Sequence, residues 1–268
     1  MAEAANWVEL RQQMMIDTRR TACCAPSYWE KCANGFNEKV SSLKDLTEKQ
    51  LRRLPLSPEY TVLDVGAGTG RITIPVAKRV KQVTALEPAG NMLALLKANA
   101  QKANLTNLRF IQRSLEDLRV GDDVQPHDVV IASFSLFMVN LEKELVKLDA
   151  LATKRVYLFL SASEWMDREI QNLVYSDSVS VKSDYIYVYN ILHDLGILAN
   201  VEVWDYQSMQ NFRSLDDAAE KYAEQYHINP SKNSALKAYL RRILIVDNGK
   251  LWLNRKRKTA TIWWTKPQ

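Results

Sequence analysis

Glycine is scarce in this sequence, with eight in 268 residues, and cysteine and histidine are scarcer still, at three each. Long hydrophobic runs are missing. The longest, Val156-Tyr157-Leu158-Phe159-Leu160, has the length of a strand, far short of the about 20 residues that a spanning helix needs. The first residues lack a basic stretch leading into an apolar segment and a small-residue cleavage site. The expectation is a cytoplasmic protein with no membrane partner. Three cysteines are too few for a disulfide framework, and Cys23, Cys24 and Cys32 have no C-x-x-C spacing. Reduced thiols and no metal site are expected.

What is present is ordinary for a globular domain: 47% hydrophobic residues, 25% charged residues and a net charge of +5. The one concentrated charge run is Arg255-Lys256-Arg257-Lys258, between Leu251-Trp252-Leu253 and Thr259-Ala260-Thr261-Ile262-Trp263-Trp264. It reads as the turn of a β-hairpin. Such a tip could meet nucleic acid phosphates, or it could simply be solvated and keep an edge strand from pairing. No RNA-binding module flanks it, so a nucleic acid partner is not favoured.

The scarce glycines are not scattered. Gly66, Gly68 and Gly70 fall in one turn, after the β-branched run Thr61 to Val65 and before the helix-like Arg71 to Lys78. A strand, a glycine turn and a helix start form the ligand-cradling corner of doubly wound α/β domains. The dinucleotide pattern G-x-G-x-x-G places its third glycine one residue later. Here the pattern is Asp64-x-Gly66-x-Gly68-x-Gly70, and a second acid, Glu87, closes the next strand-like run, Lys81 to Leu86. An acid about 20 residues beyond the turn suits ribose hydroxyls.

This arrangement resembles motif I of class I S-adenosylmethionine-dependent methyltransferases. The resemblance implies S-adenosyl-L-methionine as cofactor and S-adenosyl-L-homocysteine as product. Asp64, with Gly66, Ala67, Gly68 and Gly70, would hold the amino-acid end, which carries an ammonium. Glu87 would take the ribose, and Pro88 and Met92 lie in the segment that covers adenine. In many family members an aspartate after the third strand takes the adenine amine. That position falls on Ser114 here, followed by Leu115 and Glu116. Ser133 and Phe134, ending the run His127 to Ala132, are placed near the transferred methyl. Tyr28 and Trp29, in a segment similar to one that folds over the cofactor in small-molecule methyltransferases, would either exclude water there or pack a helix on the sheet.

The fold expected is α/β: a Rossmann-like, doubly wound, mostly parallel sheet with an antiparallel C-terminal edge hairpin and a helical N-terminal cap. Residues 1–55 form the cap and 56–268 the catalytic domain, with a helical substrate-side insertion around 166–196 and a further helical segment around 214–246. On a helix ending at Gly196, Tyr185, Tyr189 and His193 share one face. Tyr185, Tyr189 and Trp165 are candidate substrate contacts, and His193 is the candidate base. Ser133-Phe134-Ser135-Leu136 lacks the Asp/Asn-Pro-Pro-aromatic signature of enzymes that methylate nucleobase amines or glutamine amides. Methyl transfer to a small molecule is therefore expected. RNA or protein methylation through residues 255–258, and non-catalytic cofactor binding, remain open.

Overall fold

The computed structural model describes residues 5–18, 23–163, 166–175 and 183–267. Trp165 lies outside these residues. The chain begins with three helices, α1 (Trp7–Asp17), α2 (Pro26–Val40) and α3 (Lys44–Arg52). Strands and helices then alternate: β1 (Thr61–Val65), α4 (Thr73–Ala77), β2 (Gln82–Leu86), α5 (Gly90–Lys102), β3 (Leu108–Ile111), β4 (His127–Ser133), α6 (Leu141–Ala150) and β5 (Ala152–Ser161). There follow α7 (Arg168–Val174), α8 (Asp184–Asp194), β6 (Asn200–Phe212), α9 (Leu215–Tyr226), α10 (Asn233–Ile243), β7 (Ile245–Asp247) and β8 (Lys250–Thr265).

The sheet runs β3-β2-β1-β4-β5-β8-β6, with β7 paired to β8. Strands β3, β2, β1, β4 and β5 are mutually parallel. β8 lies antiparallel between β5 and β6. Near-continuous apolar runs such as Val156–Leu160 form buried central strands because helices cover both faces. One face packs α6 and α8 on the sheet through Leu141, Leu145, Leu148, Val188 and Ile191. The other packs α3 and α4 through Leu46, Leu51 and Val76. A third cluster ties α7, α9 and α10 to the far ends of β6 and β8 through Ile170, Tyr222, Leu240, Phe212 and Leu253.

The structure has the expected α/β class but moves the hairpin. Arg255–Lys258 is no turn: it sits in the middle of β8, paired with Asp205, Tyr206, Gln207 and Ser208 of β6. The turn falls at Asn248-Gly249, whose φ angles of 49° and 72° are those that an Asn-Gly hairpin turn demands. β6 accordingly runs 13 residues alongside β8. The charged tetrad misleads because alternation in a strand sends its members to opposite faces. The antiparallel strand also lies inside the sheet edge, which β6 forms.

Ser214 caps α9, accepting from Asp217 N–H at 3.1 Å. The Asp217 carboxylate reaches back one residue further than a capping box requires, to Arg213 N–H at 3.0 Å.

Candidate active site

The strand order reverses between β1 and β4, and the carboxyl ends of strands open a crevice at such a switch point. The glycine turn occupies it. Gly66 and Ala67 N–H both donate to Leu86 O, at 2.8 and 3.0 Å, which ties the turn to β2. Gly66 has φ +70°, and a Cβ there would overlap the side chain of Ser135. Ser135 Oγ in turn donates to Val65 O at 2.5 Å. The loop after β4 is thus pressed against the turn, and only glycine permits that approach. Gly70 serves packing, since a Cβ there would run into Leu96 of α5.

Both acids aim at this turn. Glu87, 5% exposed, accepts from Gly68 N–H through Oε2 at 2.8 Å and from Ala89 N–H through Oε1 at 2.9 Å. Each oxygen retains a lone pair for a further donor. Burial raises the carboxyl pKa, and the two N–H donors oppose it. Asp64 is 2% exposed and accepts from Thr73 Oγ1 through Oδ2 at 2.6 Å. Its Oδ1 has no hydrogen-bond partner among the described residues. Burial pushes its pKa up to about 6, against the pull of Thr73 and Arg71. Thr69 in the same turn leaves its buried Oγ1 unsatisfied. A buried hydroxyl without a partner is uncommon unless a ligand completes it.

Behind Asp64 stands a polar network absent from the sequence reading. Arg71 donates to Gln50 Oε1 (2.6 Å), Thr47 Oγ1 (3.1 Å) and Ser133 Oγ (2.7 Å). Gln50 Nε2 also donates to Ser133 Oγ, at 3.0 Å. The Arg71 guanidinium lies 5.9 Å from the Phe134 ring centroid. Burial lowers its pKa to about 10, so it stays charged at neutral pH. Phe134 has φ +55°, a conformation that a bulky residue adopts only when its surroundings impose it.

α2 lies across the turn. The Phe36 ring comes within 3.6 Å of where a Cβ on Gly68 would be. Trp29 meets Phe36 edge-on, with centroids 6.0 Å apart, and contacts Phe137 at 5.4 Å. Its Nε1 donates to Cys23 O at 2.8 Å. Glu30 caps the start of α5, accepting from Gly90 N–H (2.5 Å) and Asn91 N–H (2.8 Å), where the positive end of the helix dipole favours a carboxylate. Met92, 1% exposed, packs with Ala33 and Ala89 beneath this helix. Burial and the thiols of Cys23 and Cys32 drive the Tyr28 pKa upward, so it is a neutral phenol.

The fold therefore gathers Trp29, Asp64, Gly66, Ala67, Gly68, Glu87, Pro88, Ser133 and Phe134 at one edge. Other candidates fall elsewhere. Ser114 closes its own turn: its hydroxyl donates to Asp117 Oδ2 at 2.7 Å and accepts from Asp117 N–H at 3.1 Å. Leu115 is a core residue at 3% exposure, and Lys147 Nζ pins the turn through Leu115 O and Glu116 O. The Glu116 side chain is exposed.

His193 does not reach the site. α8 descends from the carboxyl end of β5 towards the start of β6, so its last turn lies at the amino edge of the sheet. The imidazole is 71% exposed, 3.8 Å from Asp194. Tyr185 and Tyr189 share a face as expected, but that face packs on the α6/α8 core. The sequence reading missed Arg71, Gln50, Ser135, Glu30 and Phe36. Arg71 follows the glycine turn directly, which is a usable signal. Gln50 carries none, because its partners come from folding.

A family model described as a methyltransferase domain matches residues 62–152. An uncharacterized protein of Haemophilus influenzae is 29% identical over 97% of this chain and 96% of its own length. The 23S rRNA (uracil(1939)-C(5))-methyltransferase RlmD of Aliivibrio fischeri is 36% identical over 81 residues, 30% of this chain; the chain spans 18% of that relative's length. Among solved structures, the YcgJ protein of Bacillus subtilis superposes with a TM-score of 0.57 at 15% identity, covering 83% of this chain and 98% of that one. The matched segment opens inside β1 and closes at the first residue of β5, taking in the glycine turn and both carboxylates. Residues 62–152 accordingly match a methyltransferase domain, and the likeness to YcgJ shows a shared fold.

Proposed function

We propose that the protein transfers a methyl group from S-adenosyl-L-methionine to a small-molecule acceptor, in the cytoplasm. The residues fit the cofactor on two counts. Asp64, 2% exposed, has an Oδ1 with no hydrogen bond among the described residues, matched to an ammonium. Glu87 is held at the turn with lone pairs to spare, matched to ribose hydroxyls. The second pairing is the observation that carries the reading. Gly68 N–H fixes Glu87 against the turn, so ribose and amino-acid ends fall on adjacent stretches of backbone.

When bound, the cofactor supplies an activated methyl and the chemical drive. This chain's own work is positioning and exclusion of water. Ser133 and Phe134 bound the reacting edge, steadied by Arg71 and Gln50. The aromatic face of α2, with Trp29 and Phe36, supplies the cover. No helix among the described residues is long and apolar enough to cross a membrane. An RNA substrate has less support. The likeness to the rRNA enzyme spans a minor part of that protein, and Lys256 and Lys258 both pair with Asp205, at 2.9 and 3.7 Å.

Calorimetric titration with S-adenosylhomocysteine and with NAD tests the cofactor class. Saturable binding of the first and none of the second is the expected outcome. Binding of NAD alone would remove the reading. A methyl-donor turnover screen over pooled metabolites then separates an enzyme from a binder.

A further inference from the structure

On the face of β6 and β8 that meets α3 and α9, cations collect with few acids to balance them. Arg257 stands opposite Tyr206 in the antiparallel register, so both side chains share this face. Two residues along, Arg255 pairs with Asp167 and donates to Tyr239 Oη at 2.6 Å. From the end of α2, Lys39 reaches across to α9, where Nζ donates to Gln225 Oε1 at 3.4 Å. Among the described residues, Lys39, Arg71 and Arg257 have no carboxylate within ion-pair distance. Unneutralised cations that share one surface repel one another unless an anion joins them.

Two sets of contacts place these cations on one surface. Lys39 is solvent-accessible, yet burial followed by Arg257 and Arg255 lowers its pKa. The helix that Lys39 reaches also faces β8, where the Arg255 guanidinium lies 6.0 Å from the Tyr222 ring centroid. Tyr206 connects that surface to the methyl-transfer edge: it packs against the same core cluster as Phe134, whose ring lies under Arg71, and Arg257 and Arg71 oppose the rise that burial brings to its pKa. Arg71 in turn donates to Ser133 at the reacting edge. Tyr226 on α9 closes the group, also under the influence of Arg257 and Arg255. The neighbouring lysines of the basic tetrad, Lys256 and Lys258, pair with Asp205 on the opposite face.

We propose that the methyl acceptor is a small molecule bearing at least two carboxylates or phosphates, seated between Lys39, Arg257 and Arg71 over Tyr206, with its reacting atom at the Ser133 edge. The proposal rests on the methyl-transfer reading and names its substrate class. Guanidiniums donate to both carboxylate and phosphate in bidentate fashion, so the two sources share one chemistry here. The tyrosines add neutral donors that a polyanion can use and a purely apolar acceptor cannot.

The test is calorimetric titration of the full chain, saturated with S-adenosylhomocysteine. The probes are benzene-1,3,5-tricarboxylate, inorganic pyrophosphate, the neutral benzene-1,3,5-tricarboxamide and a single-stranded oligouridylate. One or both small anions should bind while the triamide does not, and the tighter of the two identifies the source. Arg257→Gln and Lys39→Gln should each weaken that anion about tenfold, whereas Lys256→Gln and Lys258→Gln leave it within about twofold. Circular dichroism and unchanged S-adenosylhomocysteine affinity in all four variants show that the fold and cofactor site persist. Equal binding of anion and triamide overturns the proposal. So does equal loss in the inward and outward variants, or tighter binding of oligouridylate that depends on Lys256 and Lys258. Failure of S-adenosylhomocysteine itself to bind overturns the methyl-transfer reading instead, and is read in a separate titration.

Discussion

The two halves of the crevice are built in different ways. The cofactor half is compact in sequence: Asp64, the glycine turn and Glu87 fall within 62–92, and its decisive contacts run through backbone N–H groups. The acceptor half draws Lys39, Arg71, Ser133, Tyr206 and Arg257 from across the chain and meets through side chains. A backbone-built site tolerates little change and recognises one ligand class. A side-chain-built site can be refitted residue by residue without disturbing the first.

The strongest break of that contrast comes at Gly66. Gly66→Val forces a side chain into Ser135 at a positive φ. Overpacking of about 1–3 kcal/mol adds to about 1–2 kcal/mol of backbone strain. Chemical denaturation should show a loss on that scale, together with lost cofactor binding. A variant as stable as the parent would show that the turn is not pressed against the β4 loop.

Glu87→Ala comes next. It removes the acceptor for Gly68 and Ala89 N–H and the group proposed to hold the ribose. Hydrogen bonds to a charged group contribute about 1.5–3 kcal/mol, so S-adenosylhomocysteine should bind about 10- to 100-fold more weakly. Undiminished affinity would detach Glu87 from the site.

Asp64 sharpens the comparison through pH. Its folded-state pKa, about 6, lies above the ordinary 3.8, so the folded protein holds a proton that the unfolded chain releases between those values. Stability therefore falls as pH rises from about 4 to about 6. Asp64→Asn should recover that loss and melt higher at pH 7, while binding the cofactor more weakly. In the parent, cofactor affinity should be level above pH 7 and decline below about 6, as the carboxylate proposed to face the ammonium takes up a proton. In Asp64→Asn that decline should vanish. A parallel decline in both would assign the pH effect to another group.

His193→Ala is the smallest effect expected. Exposed at the amino edge, it should change both stability and turnover by no more than about twofold, within the range of ordinary surface substitutions. A large loss of turnover would mean that α8 does not lie as described.

Much of the cofactor half was legible because its rules are local. A glycine turn between strand and helix, with acids at two strand ends, states its geometry within about 25 residues. The central strands were legible for a related reason, since unbroken apolar runs such as Val156–Leu160 fit only a sheet covered on both faces. The misread hairpin shows the limit. The run Arg255–Lys258 is as polar as a turn, while the true turn, Asn248-Gly249, follows an exposed three-residue strand that offers little pattern. The stripe of Tyr185, Tyr189 and His193 was correct as a helix face, but a face does not say which edge of the sheet its end approaches.

The amino-acid order alone determined the α/β alternation, the glycine turn and the two carboxylates that flank it, because each depends on residues close in the chain and on backbone conformations that few residues can adopt. Tertiary structure alone decided that Glu30 caps α5, that Ser114 is spent on its own turn, and that Lys39, Arg71 and Arg257 gather around Tyr206. Those outcomes depend on which distant faces are brought together, and burial then sets the charge and pKa of whatever meets there.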